Sequence, residues 1–209
     1  MSYMMSRPGI FLTLILSGWF NLVLAQGNSE KPAFQYFNKT EVGVGIGFGS
    51  FGTDNVLGYT KKVRNDQIIV SPQTINGIVI SGRAGLGIGL GAEFWERGMF
   101  YPVFAHFFYD FKPSDNTPFA YFNLGEAFGK RYSTSYYESG NGGFLFCIGV
   151  GFKKKIGKRF QFEYEIFYRY QAITSNYRTY YDTVPSHYTT TEYKVPYNFA
   201  GFKIGVLFK

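Results

Sequence analysis

The chain has 209 residues, a formal net charge of +7, 24 Phe, 18 Tyr, 26 Gly and one Cys. A single cysteine excludes a disulfide scaffold, and after Ala25 no apolar run reaches the roughly 18 residues that a membrane-spanning helix needs. The basic residues are scattered with no recognition-helix pattern, so the charge points away from nucleic acid and towards anionic lipid head groups.

In chain order, Met1 to Ala25 reads as a cleavable secretory signal. Arg7 supplies the positive start, Ile10 to Phe20 the short apolar stretch, and Val23 and Ala25 the small residues at the cleavage positions. No cysteine follows it, which argues against a lipoprotein anchor. Loss of Arg7 with this segment leaves 20 basic against 14 acidic residues, a net +6. The expected organisation is a signal peptide at 1–25, a polar leader at 26–38 and one barrel domain at 39–209.

Eight strands are predicted from period-2 alternation. The first, Glu41 to Gly49, sets Val42, Val44, Ile46 and Phe48 against four glycines, and a polar loop from Ser50 to Gln67 follows. The second lies within Ile68 to Ile80, its register left open by Pro72, which is disfavoured in a central paired position. The third, Ala84 to Trp95, sets Leu86, Ile88, Leu90, Ala92 and Phe94 against Gly85, Gly87, Gly89, Gly91 and Glu93. The fourth, Phe100 to Phe111, and the fifth, Phe119 to Gly129, flank a turn rich in Pro, Ser, Asp and Asn. A Tyr- and Ser-rich loop leads to the sixth, Gly142 to Lys154. The seventh, Arg159 to Gln171, has the strongest contrast: Phe160, Phe162, Tyr164, Ile166, Tyr168 and Tyr170 on one face, mostly charged or amide side chains on the other. After a second long polar loop, Ala172 to Lys194, the eighth strand runs from Val195 to Lys209.

Connections after odd-numbered strands are mostly long and those after even-numbered ones short, an asymmetry of transmembrane barrels. Glu96 to Gly98 is the exception. Strands of this length suit a tilted crossing of lipid, and closure is required because lipid satisfies no open sheet edge. The expected fold is all-β, an eight-stranded antiparallel up-and-down transmembrane β-barrel behind a cleavable signal peptide. Alternation alone does not say which face points outward; the apolar-out reading depends on the loop asymmetry, the missing edge strands and the resemblance described next.

The segments TEVGVGIGFG, AGLGIGLGAEF, YPVFAHFFYDF, PFAYFNLG and GFKIGVLF, in this order and spacing, resemble the small eight-stranded outer-membrane barrels of Bacteroidetes-type bacteria. The resemblance spans Glu41 to Phe208. It implies an outer-membrane location, contact with outer-membrane lipid and lipopolysaccharide, and periplasmic chaperones and the barrel-assembly machinery as partners during biogenesis. It also implies an assembly signal in Phe208 with the same-face Phe202, Ile204 and Val206, although Lys209 follows the terminal aromatic.

Apolar-out registers point Glu41, Glu93, Asp110, Lys153, Glu163, Glu165, Arg169 and Lys203 into the lumen, with His106 nearby. Paired carboxylates can do acid–base work or hold a cation, but opposite charges in a sealed lumen read first as a compensating ion-pair network. Inward glycines on the first and third strands are expected to make room for bulky residues such as Trp95 and Arg169. Eight strands enclose a lumen that side chains fill, which weighs against a porin. No cofactor and no metal site is read.

A lipid-modifying barrel enzyme needs a Ser, His and acid set. The chain offers only His106, with no serine within three residues, and His187 beside Ser186 and near Asp182 in a loop. No catalytic residues are therefore assigned. Tyr132, Tyr136, Tyr137, Tyr177, Tyr180, Tyr181, Tyr188 and Tyr193, interleaved with Ser, Thr and Asn, have a composition suited to binding an unidentified surface ligand. Lys61, Lys62 and Arg64 suit lipopolysaccharide phosphates less specifically. The reading favoured is a non-enzymatic structural or surface-binding barrel. Its alternatives are an outer-leaflet lipid-modifying enzyme and a soluble periplasmic barrel for an apolar ligand.

Overall fold

The computed structural model describes residues 34–54, 60–96, 98–132, 138–180 and 188–209, with backbone alone at 51–54, 60–63, 131–132, 138–139, 175–180 and 188–193. The predicted signal peptide and residues 26–33 of the leader lie outside them. The described strands are β1 (Phe34–Phe48), β2 (Ser50–Asp54), β3 (Thr60–Arg64), β4 (Ile68–Ile80), β5 (Ala84–Gly91), β6 (Glu93–Trp95), β7 (Gly98–Asp110), β8 (Thr117–Tyr132), β9 (Glu138–Asn141), β10 (Phe144–Lys155), β11 (Phe160–Tyr180) and β12 (Tyr188–Phe208).

These make an eight-staved antiparallel barrel. β5 and β6 form one stave interrupted at Ala92, and β9 and β10 another interrupted at Gly142 and Gly143. β12 pairs back onto β1 from Asn38↔Phe208 to Phe48↔Asn198, closing the ring. Partners followed once round, from Asn38 through Asn76, Ile88, Ala105, Leu124, Phe146, Tyr170 and Asn198, return to β1 at Phe48, ten residues beyond the start. That stagger is what tilts the staves and fixes the barrel's width.

The apolar face of every stave points outward. Phe202 is 70% exposed, Ile88 65% and Ile46 64%, within a belt that also holds Val44, Leu90, Ile148, Val150 and Ile166. A soluble protein does not carry a continuous apolar surface of this extent, so the outer face belongs in lipid. Inside, large and small residues are matched across the ladders. Gly85 lies opposite Phe108, Gly89 opposite Phe104, Gly149 opposite Tyr121 and Gly151 opposite Phe119. A Cβ at Gly85 or Gly89 would enter the facing ring, and one at Gly45 would press on Ile69 and Phe167. The inward glycines therefore make room for ladder neighbours, where Trp95 and Arg169 were expected.

Several boundaries differ from the alternation pattern. β1 begins at Phe34, inside the predicted leader. Ile68–Ile80 is one continuous strand despite Pro72, which is in register with Val42. Its carbonyl accepts Ala92 N–H at 3.0 Å, so its missing donor falls where the neighbouring stave is already interrupted. The predicted Ser50–Gln67 loop contains the β2–β3 hairpin, which leaves the wall at Gly49, where φ is +85°. The predicted Ala172–Lys194 loop is mostly ladder: β11 and β12 stay paired from Phe160↔Phe208 to Tyr180↔Tyr188. Neither stretch has the one-sided hydropathy that marks a strand in lipid.

The barrel thus has two unlike ends. At one, Ser81 and Gly82 with φ of 53° and 72° close a tight turn, and the other two connections are also short. At the opposite end, 21-residue β11 and β12 rise as a hairpin. At about 3.3 Å per residue each is about 70 Å of strand, far more than the 9–11 residues that cross a bilayer. Ile166→Arg on the belt is expected to cost about 2–4 kcal/mol of barrel stability, while inward Gln161→Arg costs much less. Urea unfolding in detergent micelles, read by the gel mobility of the folded form, checks the difference; equal tolerance would invert the faces.

Candidate functional site

The only densely polar region among the described residues is the lumen, and its charges are gathered in two groups. The larger is built on Lys39, whose Nζ meets Glu41 Oε2 at 2.7 Å, Glu163 Oε2 at 2.8 Å and Glu165. Glu41 Oε1 accepts from Lys203 Nζ at 2.7 Å. Glu163 turns its other oxygen to Lys153, 3.6 Å away, and Lys153 also pairs with Asp110 at 2.8 Å. Three staves that meet at the seam of the ring, β1, β11 and β12, hold most of this group, because period-2 spacing stacks 39 with 41 and 163 with 165 on the inner face.

Aromatic rings line the same chamber. Lys153 Nζ stands 3.7 Å from the centroid of Phe108 and 4.7 Å from that of Phe119. Lys39 and Lys203 lie over Tyr121 at 5.4 and 5.0 Å. These faces offset part of the desolvation of each ammonium. His106 is also enclosed: its Nδ1 meets Asn123 Oδ1 at 2.7 Å, and its ring packs on Phe108 and Tyr121. Among the described residues no serine hydroxyl hydrogen-bonds to it. His187, Ser186 and Asp182 lie outside the described residues.

The second group is smaller and nearer the hairpin end. Arg169 pairs with Glu93 and donates to Gln171 Oε1 at 2.8 Å. Beyond it the lumen becomes apolar, with Ile69, Trp95, Phe100, Ile173, Val195, Tyr197 and Phe199 buried together. Trp95 is the hub, its ring centroid 5.0 Å from Phe100, 5.2 Å from Tyr197 and 4.9 Å from Phe199 in edge-on contacts. Between the two charged groups a cavity of about 10 Å³ remains, bordered by Ser71, Asn123, Cys147 and Lys203. That is about one water's worth of space. A substrate or hydrated ion has no room there.

All eight lumenal residues singled out in the sequence, Glu41, Glu93, Asp110, Lys153, Glu163, Glu165, Arg169 and Lys203, are buried inside and ion-paired. Lys39, the most connected of all, was missed. Its neighbours Asn38 and Thr40 make the outer face polar there, so the alternation pattern starts the first strand only at Glu41; Phe37, Lys39 and Glu41 at period 2 are the available signal. The aromatic plug was missed because its inward residues are as apolar as the belt.

Of the tyrosines, Tyr132 ends β8, Tyr177 and Tyr180 are on β11, and Tyr188 and Tyr193 on β12. Tyr136, Tyr137 and Tyr181 lie outside the described residues. Phe202, Ile204 and Val206 are exposed on the outer face of β12, and Phe208 stacks at a tilt on Phe160 with centroids 5.4 Å apart.

No family model and no curated protein matches the chain. Solved structures do. The outer membrane protein OprG from Pseudomonas aeruginosa superposes with a TM-score of 0.54 at 8% identity, over 81% of this chain and 95% of its own. Neisserial surface protein A gives 0.49 at 14% identity, over 85% and 97%, and the outer membrane protein AlkL 0.47 at 12%, over 88% and 97%. The fold is that of a small outer-membrane β-barrel. With its apolar belt outside and its charges inside, the protein is an integral membrane barrel.

Lys39→Met should be severely destabilising, by about 3–5 kcal/mol, because it strands several buried carboxylates without their shared cation. Adding Glu165→Gln should recover part of that loss. A double-mutant cycle by urea unfolding checks this, and additive losses would show that the two side chains do not interact.

Proposed function

We propose that the protein is a non-conducting, non-enzymatic outer-membrane barrel whose filled interior serves stability and whose outward hairpin binds a surface ligand. The observation that carries this reading is the pairing of a sealed lumen with β11 and β12 strands that continue well past lipid. The short turns mark the periplasmic end and the tall hairpin the outside. The signal peptide at 1–25 would direct export, and the sequence segments quoted above are what support a Bacteroidetes-type family. Against the lipid-modifying reading stands the engagement of His106 by Asn123 and aromatic rings. Against an apolar-ligand barrel stands an interior that is charged in one half and packed in the other.

The proposed contacts are Tyr177 and Tyr180 of β11, Tyr188 and Tyr193 of β12 and Tyr132 at the end of β8, together with Tyr136, Tyr137 and Tyr181, which lie outside the described residues. Rigid aromatic area beside Ser, Thr and Asn suits sugar or protein surfaces. Lipid A or other lipopolysaccharide phosphate would meet Lys61, Lys62 and Arg64 of β3.

In planar bilayers the purified protein is expected to show no stable conductance on the scale of a general porin. Cells displaying a variant with Tyr177, Tyr180, Tyr181, Tyr188 and Tyr193 changed to Ser should keep normal amounts of folded barrel but lose binding on a glycan and matrix-protein array. Steady conductance would defeat the sealed-lumen reading, and unchanged array binding would defeat the hairpin reading.

For biogenesis, the outward aromatic end of β12 is the proposed assembly signal. Phe208→Ala is expected to leave an unfolded species that does not shift on heating in gels, whereas removal of Lys209 is nearly silent. Wild-type yields of folded Phe208→Ala would remove Phe208 from that role.

A further inference from the structure

The turn end of the barrel holds a basin of about 320 Å³, walled by side chains that include Gln35, Asp115, Lys155, Lys158, Arg159 and Lys209. Four of these are cations and Asp115 is the single carboxylate side chain in the wall. Lys155 already holds that carboxylate at 2.7 Å, so the basin's side chains carry a net +3. Lys158 and Arg159 stand on an exposed turn and take no part in the lumenal ion pairs described above.

The basin is also preformed. Lys155 N–H donates to Asn116 Oδ1 at 2.9 Å, Gln161 Nε2 to the Asp115 carbonyl at 3.1 Å, and Lys209 N–H to the Arg159 carbonyl at 3.1 Å. Three separate chain segments are thereby tied into one wall. Burial, with Lys153 adding repulsion and Asp110, Glu163 and Asp115 opposing it, holds the Lys209 ammonium below its ordinary range. Phe160 belongs both to the basin wall and to the exposed belt, and Ile156 beside it is 61% exposed. The basin therefore opens at the level where hydrocarbon gives way to head groups.

We propose that this basin binds a phosphate-class anion, presented as the head group of an acidic inner-leaflet phospholipid or as free phosphate. The volume lies at the lower end of small-ligand sites, enough for a phosphate with part of its ester. Arg159 supplies a planar fork for two oxygens, and Lys158 and Lys209 supply point charges. The orientation in the membrane follows from the proposed function; the affinity for phosphate does not depend on it.

The test uses the full chain in maltoside micelles, with phosphatidylglycerol, phosphatidylcholine and inorganic phosphate as separate probes. Binding is read by native mass spectrometry for the lipids and by calorimetry for phosphate. K158Q/R159Q, at exposed positions, should weaken binding at least about tenfold, as expected for two lost charge-assisted hydrogen bonds. K112Q/K154Q removes the same charge from the same end but outside the basin and should stay within about twofold. Lys209→Gln provides a second, single-site reading, and gel mobility confirms that each variant is folded. Retention of phosphatidylglycerol without phosphate binding supports the head-group source, and calorimetric binding of phosphate supports the free anion. Equal losses in the two double variants, or no binding of any probe by the wild type, would overturn the proposal.

Discussion

Closure of the ring through β1 and β12 is the constraint on which everything else depends. Hydrocarbon offers no hydrogen-bond partners, so a single open edge of ten or so residues would leave a row of amides and carbonyls unsatisfied at several kcal/mol each. The eleven register pairs from Asn38↔Phe208 to Phe48↔Asn198 remove that edge. They also impose alternation inside the membrane, because a one-residue slip would turn the whole face of a strand from lipid to lumen. The chemistry of the two faces and the topology of the sheet are one requirement seen twice.

The lumen shows how a small barrel fills itself. Ladder partners set glycine against Phe or Tyr, which brings rings across a narrow interior. In the remaining space the chain places ions that are costly to bury singly and stable only as a set. Lys39 shared among Glu41, Glu163 and Glu165 concentrates that dependence in one side chain. The aromatic cluster around Trp95 then fills the outward half, with the indole N–H of Trp95 and the phenol of Tyr197 as the polar groups of its rings.

How much of this the sequence revealed depended on where each strand lies relative to lipid. Phe160 to Gln171 could be read almost residue by residue, since one face meets hydrocarbon and the other meets charge. The upper halves of β11 and β12 could not, because both of their faces lie beyond lipid and the period-2 contrast disappears while backbone pairing continues. The β2–β3 hairpin was hidden for the same reason. Lys39 escaped at the other boundary, where Asn38 and Thr40 line the outside. The charged lumenal residues were legible through their position opposite apolar neighbours; their partners were not, since pairing depends on which staves adjoin after closure. Pro72 misled because a proline's cost depends on what faces its nitrogen, and that is a property of the neighbouring stave.

The partners in the charged chamber are far apart along the chain: Lys39 and Glu165 are separated by 126 residues, and Glu41 and Lys203 by 162. A sheet still open between β1 and β12 holds the members of each pair at or near its opposite edges. A barrel joined stave by stave in chain order therefore completes these two pairs only when its first and last staves meet, although Lys39 and Glu41 share one strand and Lys153 and Glu163 already adjoin. In the reverse direction, parting the seam would release several ions together into a low-dielectric surrounding before any of them reached water. Resistance of this kind is a matter of barrier height more than of equilibrium. Long residence in the folded state is thus built into the order in which the staves are joined.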